Sequence, residues 1–427
     1  MSDILVSIVC ITYNHEKYIR DTLEGIINQK VSFGYEVIVH DDASTDRTAE
    51  IIKEYEEKNP HIFRCIYRKE NRTSKEGVAW ERELYRMCRG KYIALCEGDD
   101  FWIDYHKLQI QVEWMENHPE YIMTAHNALR LNCGTGECVS INPYEENREL
   151  FPRDIILQKD GNLPTASLVM RHDIKEIESF YYKCGIGDFV LQLFCISKGR
   201  VYYFDRIMSV YRFNHEGSWW SGTINSEEKY IIHYIKMIRL FDEYSIYVKG
   251  EYDEWLEEAK QNCLWGILNR SKSLTDKKYN QLMERIELDE DTLAQECWLK
   301  MKDSIELFRN PNHLPSKVEK AVNNKRDLYI WGTGYYGTQL AERIKEKELD
   351  FQGFVVSDNQ NHEKQYMEKE IISISELYRK REAEMTEKNN KCDNIEIVVA
   401  VNLWNWKEIR PILEEMKIFD FRYLFDL

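Results

Sequence analysis

No run of about eighteen apolar residues occurs in the 427-residue sequence, so nothing in it reads as a membrane-spanning helix. Positive charge is in short supply: 58 Lys and Arg face 74 Asp and Glu, a formal net charge of −16. A surface of that sign repels a phosphate backbone and excludes nucleic acid as a general partner, while leaving room for one phosphate ligand in a local pocket. The opening MSDILVSIVCITYN lacks the basic stretch that precedes the apolar core of a secretion signal, and reads as a first strand. Eleven cysteines are present, but no second cysteine pair has metal-ligand spacing. Cys10, Cys65 and Cys96 fall in expected strands and read as reduced core thiols, which points to the cytoplasm. Cys133 and Cys138 flank the turn in NCGTGEC, where a plain hairpin is expected over a zinc or disulfide site. Internal repeats and low-complexity tracts are also missing.

What is present first is an alternation. ILVSIVCIT (4–12) is a continuous apolar run, as for a strand covered on both faces. Residues 16–29 place Tyr18, Ile19, Leu23, Ile26 and Ile27 on one helical stripe. Strand and helix then recur: YEVIVHD, a helix over 45–58, FRCIYR, a helix over 77–88, and KYIALC. That order implies an α/β domain with a parallel sheet and helices on both faces. Right-handed crossovers gather the carboxyl ends of the strands at one edge, where such sheets bind ligands. Thr12 to Asn14, Asp41 to Asp46, Arg68 to Arg72 and Glu97 to Asp100 all fall there. TASLVMR (165–171) reads as a further strand, 185–199 as a turn and helix, and 201–212 as a strand running into YRFNHEGSWWSG. The expected organisation is three-part: a domain over 1–225, a charged helical segment and linker over 226–320, and a small α/β domain over 327–427.

CEGDDFW (96–102) puts Glu97, Asp99 and Asp100 at the end of a core strand. One acidic turn alone is explained by capping the next helix. Two acidic strand ends facing one edge point instead to a cation or a polar ligand. Hard cations take carboxylate oxygens, and such an ion offsets charge that develops on a departing diphosphate.

VSIVCITYNHEKYIRDTLEGIINQ, YEVIVHDDASTDRT and GKYIALCEGDDFW together resemble the family 2 glycosyltransferases, over about the first 220 residues. The resemblance implies a GT-A fold that takes a nucleotide-diphosphate sugar, a UDP-sugar foremost, with Mn2+ or Mg2+ bridging its diphosphate. Glu97-Gly98-Asp99 matches the family's Asp-x-Asp, so Asp99 is expected to ligate the metal, Glu97 to meet ribose or a metal-bound water, and Gly98 to let ligand approach the backbone; Asp100 stands behind them. Asp41 and Asp42 match the acidic pair of which one accepts from the base, the other being free to cap the next helix. Thr12, Tyr13 and Asn14 would touch base and ribose, with Arg68 and Asn71 bordering the pocket. Asp188, in GIGDFVL, matches the family's general base, against the plainer reading of a helix cap. His215, in a His-x-Gly-Ser stretch, would meet metal or phosphate. Thr165, Ser167, Ser218, Trp219 and Trp220 are expected on the acceptor side. One base with direct displacement implies inversion. The implied acceptor is a hydroxyl of a glycan or a lipid-linked glycan in bacterial surface polysaccharide synthesis, with peripheral contact at the inner face of the membrane. The apolar stripe of 228–241 is expected to pack on the catalytic domain.

GTGYYG (332–337) follows the strand DLYIW and opens a helix, the context of a nucleotide loop with a helix N-terminus for phosphate. Gly332, Gly334 and Gly337, with Asp358 at the next strand end, mark a candidate second nucleotide site, and the segment resembles small Rossmann-like domains. An NAD(P)-dependent oxidoreductase acting through this domain is one alternative function; a non-catalytic glycan-assembly protein is another.

Overall fold

A computed structural model of the chain describes residues 4–73, 80–141, 144–157, 163–172, 187–224 and 226–287, and, further on, 305, 309–310, 314, 318–320, 327–358, 365–380, 395–400, 409–414 and 420–423. Two compact units divide it, Met1–Lys260 and Gln261–Leu427.

The first unit runs β1 (Ile4–Thr12), α1 (Ile19–Ile27), β2 (Gly34–Asp41), α2 (Thr48–Lys58), β3 (Phe63–Tyr67), α3 (Glu81–Met87), β4 (Tyr92–Leu95), β5 (Phe101–Trp102), α4 (Lys107–Asn117), β6 (Tyr121–Asn132), β7 (Cys138–Ser140), β8 (Arg148–Leu150) and α5 (Pro152–Ile156). A 3-10 turn (Thr165–Ser167) follows, then β9 (Val169–Arg171), α6 (Gly187–Ile196), β10 (Arg200–Phe213), α7 (Trp219–Ile224), α8 (Glu227–Tyr247) and α9 (Asp253–Ser271), the last crossing the unit boundary. Ten strands form one sheet in the order β3-β2-β1-β4-β9-β6-β10-β5, with β7 on β6 and β8 on β10.

β1 to β4 pair in parallel as the alternation requires. Beyond them the sheet is mixed, with β10 parallel to β6. β9 lies antiparallel between β4 and β6, and β5 antiparallel on β10. TASLVMR, expected as one strand, opens as a 3-10 turn because Ser167 N–H donates to Pro164 O, and pairs only from Val169. Val6, Ile8, Val37, Val39, Ile19, Leu23, Ile26 and Leu108 share one buried cluster. Burying each such side chain contributes about 1.5–3 kcal/mol, which sets the strand register firmly. NCGTGEC forms the expected hairpin between β6 and β7, with both thiols free.

α8 is capped by Ser226 Oγ, which accepts from Lys229 N–H. Its Ile231, Ile235, Ile238 and Phe241 are buried, and Tyr244 OH donates to Leu193 O of α6 at 2.8 Å. Among the described residues no helix is long and apolar enough to cross a membrane.

The second unit holds α10 (Asp276–Glu287) and a six-stranded sheet. Its elements are β11 (Asp327–Trp331), α11 (Tyr335–Glu346), β12 (Gly353–Val356), β13 (Gln365–Tyr366), β14 (Lys369–Ser373), β15 (Ile395–Val399) and β16 (Asp420–Tyr423). The order is β13-β14-β12-β11-β15-β16, parallel except for β13.

Candidate active site

The carboxyl ends of β1, β2 and β4 are tied together by backbone. Asp42 N–H donates to Thr12 O, Arg68 N–H to Asp41 O and Gly98 N–H to Ile11 O. Every strand-end group named from the sequence therefore lies on one edge. Gly98 has no room for a side chain: a Cβ there would stand 2.5 Å from Thr12 Oγ1 and 2.9 Å from His15 Nδ1.

The acidic pair of β2 divides its work. Asp42 accepts from the backbone N–H groups of Arg72 (2.8 Å) and Thr73 (2.9 Å) and so anchors the segment after β3. Asp41 Oδ2 accepts from Ser44 N–H, while Asp41 Oδ1 is buried without a partner, as is Thr12 Oγ1. Burial raises the Asp41 carboxyl above its usual range, against the Ser44 hydrogen bonds. Neither aspartate caps α2; Asp46, one residue before the N-cap Arg47, accepts from the first helical N–H, that of Thr48, at 2.9 Å. Two buried oxygens without partners each cost about 1–3 kcal/mol, a cost that a donor-bearing ligand removes. Asn14 is held in left-handed backbone (φ 56°), accepting from Thr45 N–H at 2.7 Å. Tyr13 is 42% exposed, on the open side of this edge. Arg68 Nε donates to His40 Nε2 at 3.0 Å, and His40 stacks on Trp80 at 4.2 Å. Asn71 is half-buried in the stretch that Asp42 anchors.

At the β4 tip, Asp99 Oδ2 lies 3.2 Å from His215 Nε2 and 3.8 Å from His15 Nε2. Burial opposes ionisation of Asp99, but the two imidazoles outweigh it and hold the carboxyl below its usual range. Burial likewise opposes protonation of His215, and the Asp99 hydrogen bond and charge overcome it, so His215 moves up. His15 moves down, because its burial outweighs Asp99. Asp100 is buried, with Oδ1 accepting from Arg212 N–H at 2.8 Å. Glu97 reaches solvent along one side. Dense protein around it, then Asp99, Asp100 and Asp188, still push its carboxyl well up, an effect that the adjoining water tempers.

Asp188 lies in the first turn of α6. Thr165 Oγ1 donates to its Oδ2 at 3.2 Å, and Phe189 N–H to its Oδ1 at 2.8 Å. Burial raises its carboxyl, and these bonds oppose the rise without cancelling it. Tyr211 of β10 sits among the same acids: its phenol is pushed up by burial, then by Asp100, Glu97, Asp99 and Asp188. Glu97, Asp99, Asp188 and His215 are thus brought into one region. Ser167 is not brought to its surface: it is fully buried, and its carbonyl accepts from Gln111 at 2.9 Å. Ser218 Oγ accepts from Ser221 N–H and starts α7. Trp219 and Trp220 open α7, and their side chains lie outside the described set. His15, Tyr211 and Arg212 are the members that sequence reasoning missed. Arg212 and His215 share the stretch YRFNHEG, but no spacing rule singles out the arginine.

Among the described residues no group of three or more His, Cys, Asp or Glu is disposed to hold a metal ion. The pair Asp99 and His215 still fits one. Its 3.2 Å spacing is close to the ~3.0 Å between neighbouring ligands of an octahedral ion bound at about 2.1 Å, and the only side-chain group that His215 Nε2 faces in this pair is the Asp99 carboxylate itself. Carboxylate with imidazole suits Mn2+ better than Ca2+.

In the second unit, Gly332 takes φ +106° and Gly334 precedes α11 without a side-chain cap. A Cβ on Gly337 would lie 1.8 Å from Gly332 O, so the loop needs glycine there. Asp358 is engaged: it accepts from Ser375 N–H (3.1 Å) and Ser375 Oγ (2.6 Å) at the start of the helix over 374–380.

Several known proteins are similar to this chain. An uncharacterized protein of Mycobacterium tuberculosis is 35% identical over 218 residues, 51% of this chain and 61% of that one. The chain thus spans under two thirds of that relative's length. The Escherichia coli enzyme WfaP, a UDP-Glc:alpha-D-GlcNAc-diphosphoundecaprenol beta-1,3-glucosyltransferase, is 34% identical over 112 residues, 26% of this chain and 41% of that one. The solved structure of S. aureus TarS residues 1–349 with UDP-GlcNAc superposes with a TM-score of 0.51 at 18% identity, covering 72% of this chain and 87% of that one, and shows the same fold. Residues 7–166, which include the ends of β1 and β2 and the Glu97–Asp100 tip, match Glycosyl transferase family 2.

Proposed function

We propose that the first unit is a metal-dependent, inverting glycosyltransferase of hexosyl type that moves a sugar from a UDP-sugar to a hydroxyl of a glycan or lipid-linked glycan. The observation that carries this reading is the convergence on one sheet edge of the Asp99–His215 pair, the partnerless oxygens of Thr12 and Asp41, and the raised carboxyl of Asp188. Thr12, Tyr13, Asn14 and Asp41 receive base and ribose, bordered by Arg68 and Asn71, with Asp42 holding the wall behind them. A uracil N–H suits the unpaired Asp41 Oδ1. Glu97 and Gly98 flank the ribose and diphosphate. Asp99 and His215 would hold Mn2+ or Mg2+, which offsets the charge that builds on the diphosphate.

Asp188 takes the proton of the acceptor hydroxyl as its oxygen attacks the anomeric carbon and the bond to the diphosphate breaks, releasing UDP. A raised carboxyl suits this task, because its proton affinity stands nearer that of the reacting group. Thr165 orients it, and Tyr211, Ser218, Trp219 and Trp220 border the acceptor side. The setting would be surface polysaccharide synthesis at the inner membrane face; a lipid-linked acceptor accords with the name of WfaP, which acts on a diphosphoundecaprenol-linked sugar. We retain 1–225, 226–320 and 327–427 as functional divisions, the last Rossmann-like, with its glycine loop as a candidate nucleotide cradle.

A thermal-shift screen of the full chain against UDP, GDP, CDP and NAD, each with and without Mn2+, tests the assignment. A ligand that binds only the folded state raises its melting temperature. Mn2+-dependent stabilisation by UDP supports the reading. Stabilisation by NAD alone overturns it and returns the acids of CEGDDFW to a capping role.

A further inference from the structure

Arg212 is the next-to-last residue of β10 and only 7% exposed. It joins three segments that are far apart in sequence. Its backbone N–H donates to Asp100 Oδ1 at 2.8 Å, and Nη1 donates to the carbonyl of Asp99 at 2.8 Å. Nη2 donates to the carboxylate of Asp21 on α1. The guanidinium also lies over Phe101, 4.2 Å from the ring centre, and over Tyr18 at 5.2 Å. Tyr18 in turn packs on His215 at 4.7 Å between ring centres. Only two residues of chain, Phe213 and Asn214, separate Arg212 from His215, so whatever fixes Arg212 to the Asp99 backbone also fixes the His215 loop against the Asp99 carboxylate.

We propose that Arg212 is a positioning residue that sets the Asp99–His215 spacing, and that Asp21 orients it. This rests on the reading of Asp99 and His215 as the metal and diphosphate site. A planar fork is needed: one nitrogen serves the Asp99 carbonyl while another serves Asp21, with the guanidinium over the rings of Phe101 and Tyr18. Lysine keeps the charge but cannot make that set. The plainer account is a buried ionic staple. A staple lowers stability without preference for any one ligand, whereas a positioning residue acts selectively on metal-dependent affinity.

The test is calorimetric titration of the full chain with UDP, with and without saturating Mn2+, for wild type, Arg212→Lys, Asp21→Asn and Asp99→Ala, alongside melting temperatures and donor kinetics. Supporting partners of a metal ligand are typically worth about 10–100-fold in metal affinity. Arg212→Lys is expected to weaken Mn2+-dependent UDP binding by that factor and to raise the donor KM more than it lowers kcat. Metal-free UDP affinity and the acid limb of the pH–rate profile are expected to hold. Asp21→Asn moves the same quantity less. Its side chain is 56% exposed, so it carries the test if Arg212→Lys does not fold. Wild-type Mn2+-dependent affinity in both variants, with Asp99→Ala impaired, overturns the role of Arg212 and leaves the site standing. No Mn2+-dependent UDP binding in wild type, or none lost in Asp99→Ala, overturns the underlying reading.

Discussion

The two units each end parallel strands in a loop rich in small or polar residues, and the two edges differ in how their polar groups are satisfied. At the first, Thr12 Oγ1 and Asp41 Oδ1 are buried without partners, and Glu97, Asp99, Asp100 and Asp188 crowd one region. At the second, the acid at the corresponding strand end, Asp358, is taken up by Ser375, and the glycines fit each other closely. Folding does not leave charges crowded and oxygens without partners unless something else returns the energy, and a ligand is the usual source. The acidic edge is therefore where binding and chemistry are expected first, while at the second edge the close approach of Gly337 to Gly332 O already requires glycine.

That contrast can be broken by substitution. The largest effect expected is on Asp188: Asp188→Asn should lower transfer by about 10²–10⁴-fold, the usual worth of a general base, with Mn2+-dependent UDP binding intact. Near-normal turnover in that variant would remove Asp188 from the reaction. Asp99→Ala should cost metal-dependent nucleotide affinity at least the ~10–100-fold that supporting residues cost, measured by calorimetry; equal affinity with and without Mn2+ in wild type and variant would mean that the acidic edge holds no ion. On the other edge, Gly337→Ala forces a methyl onto Gly332 O and should destabilise the fold by about 1–3 kcal/mol, read as a lower melting temperature, while UDP affinity stays at the wild-type value. A matching loss of UDP affinity would tie the glycine loop to the site.

The smallest effect concerns pH. Asp188 must be ionised to accept a proton, and burial raises its pKa, so the rate falls as pH drops through that raised value. Thr165→Val removes a hydrogen bond that favours the ionised form. The acid limb of the pH–rate profile should therefore move to higher pH, with UDP affinity unchanged. A shift to lower pH, or none, would show that Thr165 does not govern the base.

Much of the architecture could be read from local pattern. The apolar runs at 4–12, 35–41 and 92–95 gave the parallel half of the sheet, and strand ends in such a sheet share an edge for topological reasons. The mixed remainder of the sheet could not be read the same way. β9 is three residues long, and its direction is set by the strands on either side, which periodicity does not encode. The acid pair of β2 shows the same limit at the scale of a residue. Asp41 ends β2 and Asp42 lies just beyond it, so the two meet different neighbours, and only the chain after β3 reveals that Asp42 anchors that segment.

By itself the sequence determined the α/β alternation, the strand ends that supply the site, and the residue types that suit a metal and a diphosphate, because these follow from short-range periodicity and intrinsic chemistry. Tertiary structure decided that His15 joins Asp99, that Arg212 bridges α1 and the β4–β5 turn, that Ser167 is buried and that Asp358 is engaged. Those outcomes depend on contacts between segments up to 191 residues apart, as between Arg212 and Asp21. Such distances are set by packing of the whole domain, and no local pattern carries them.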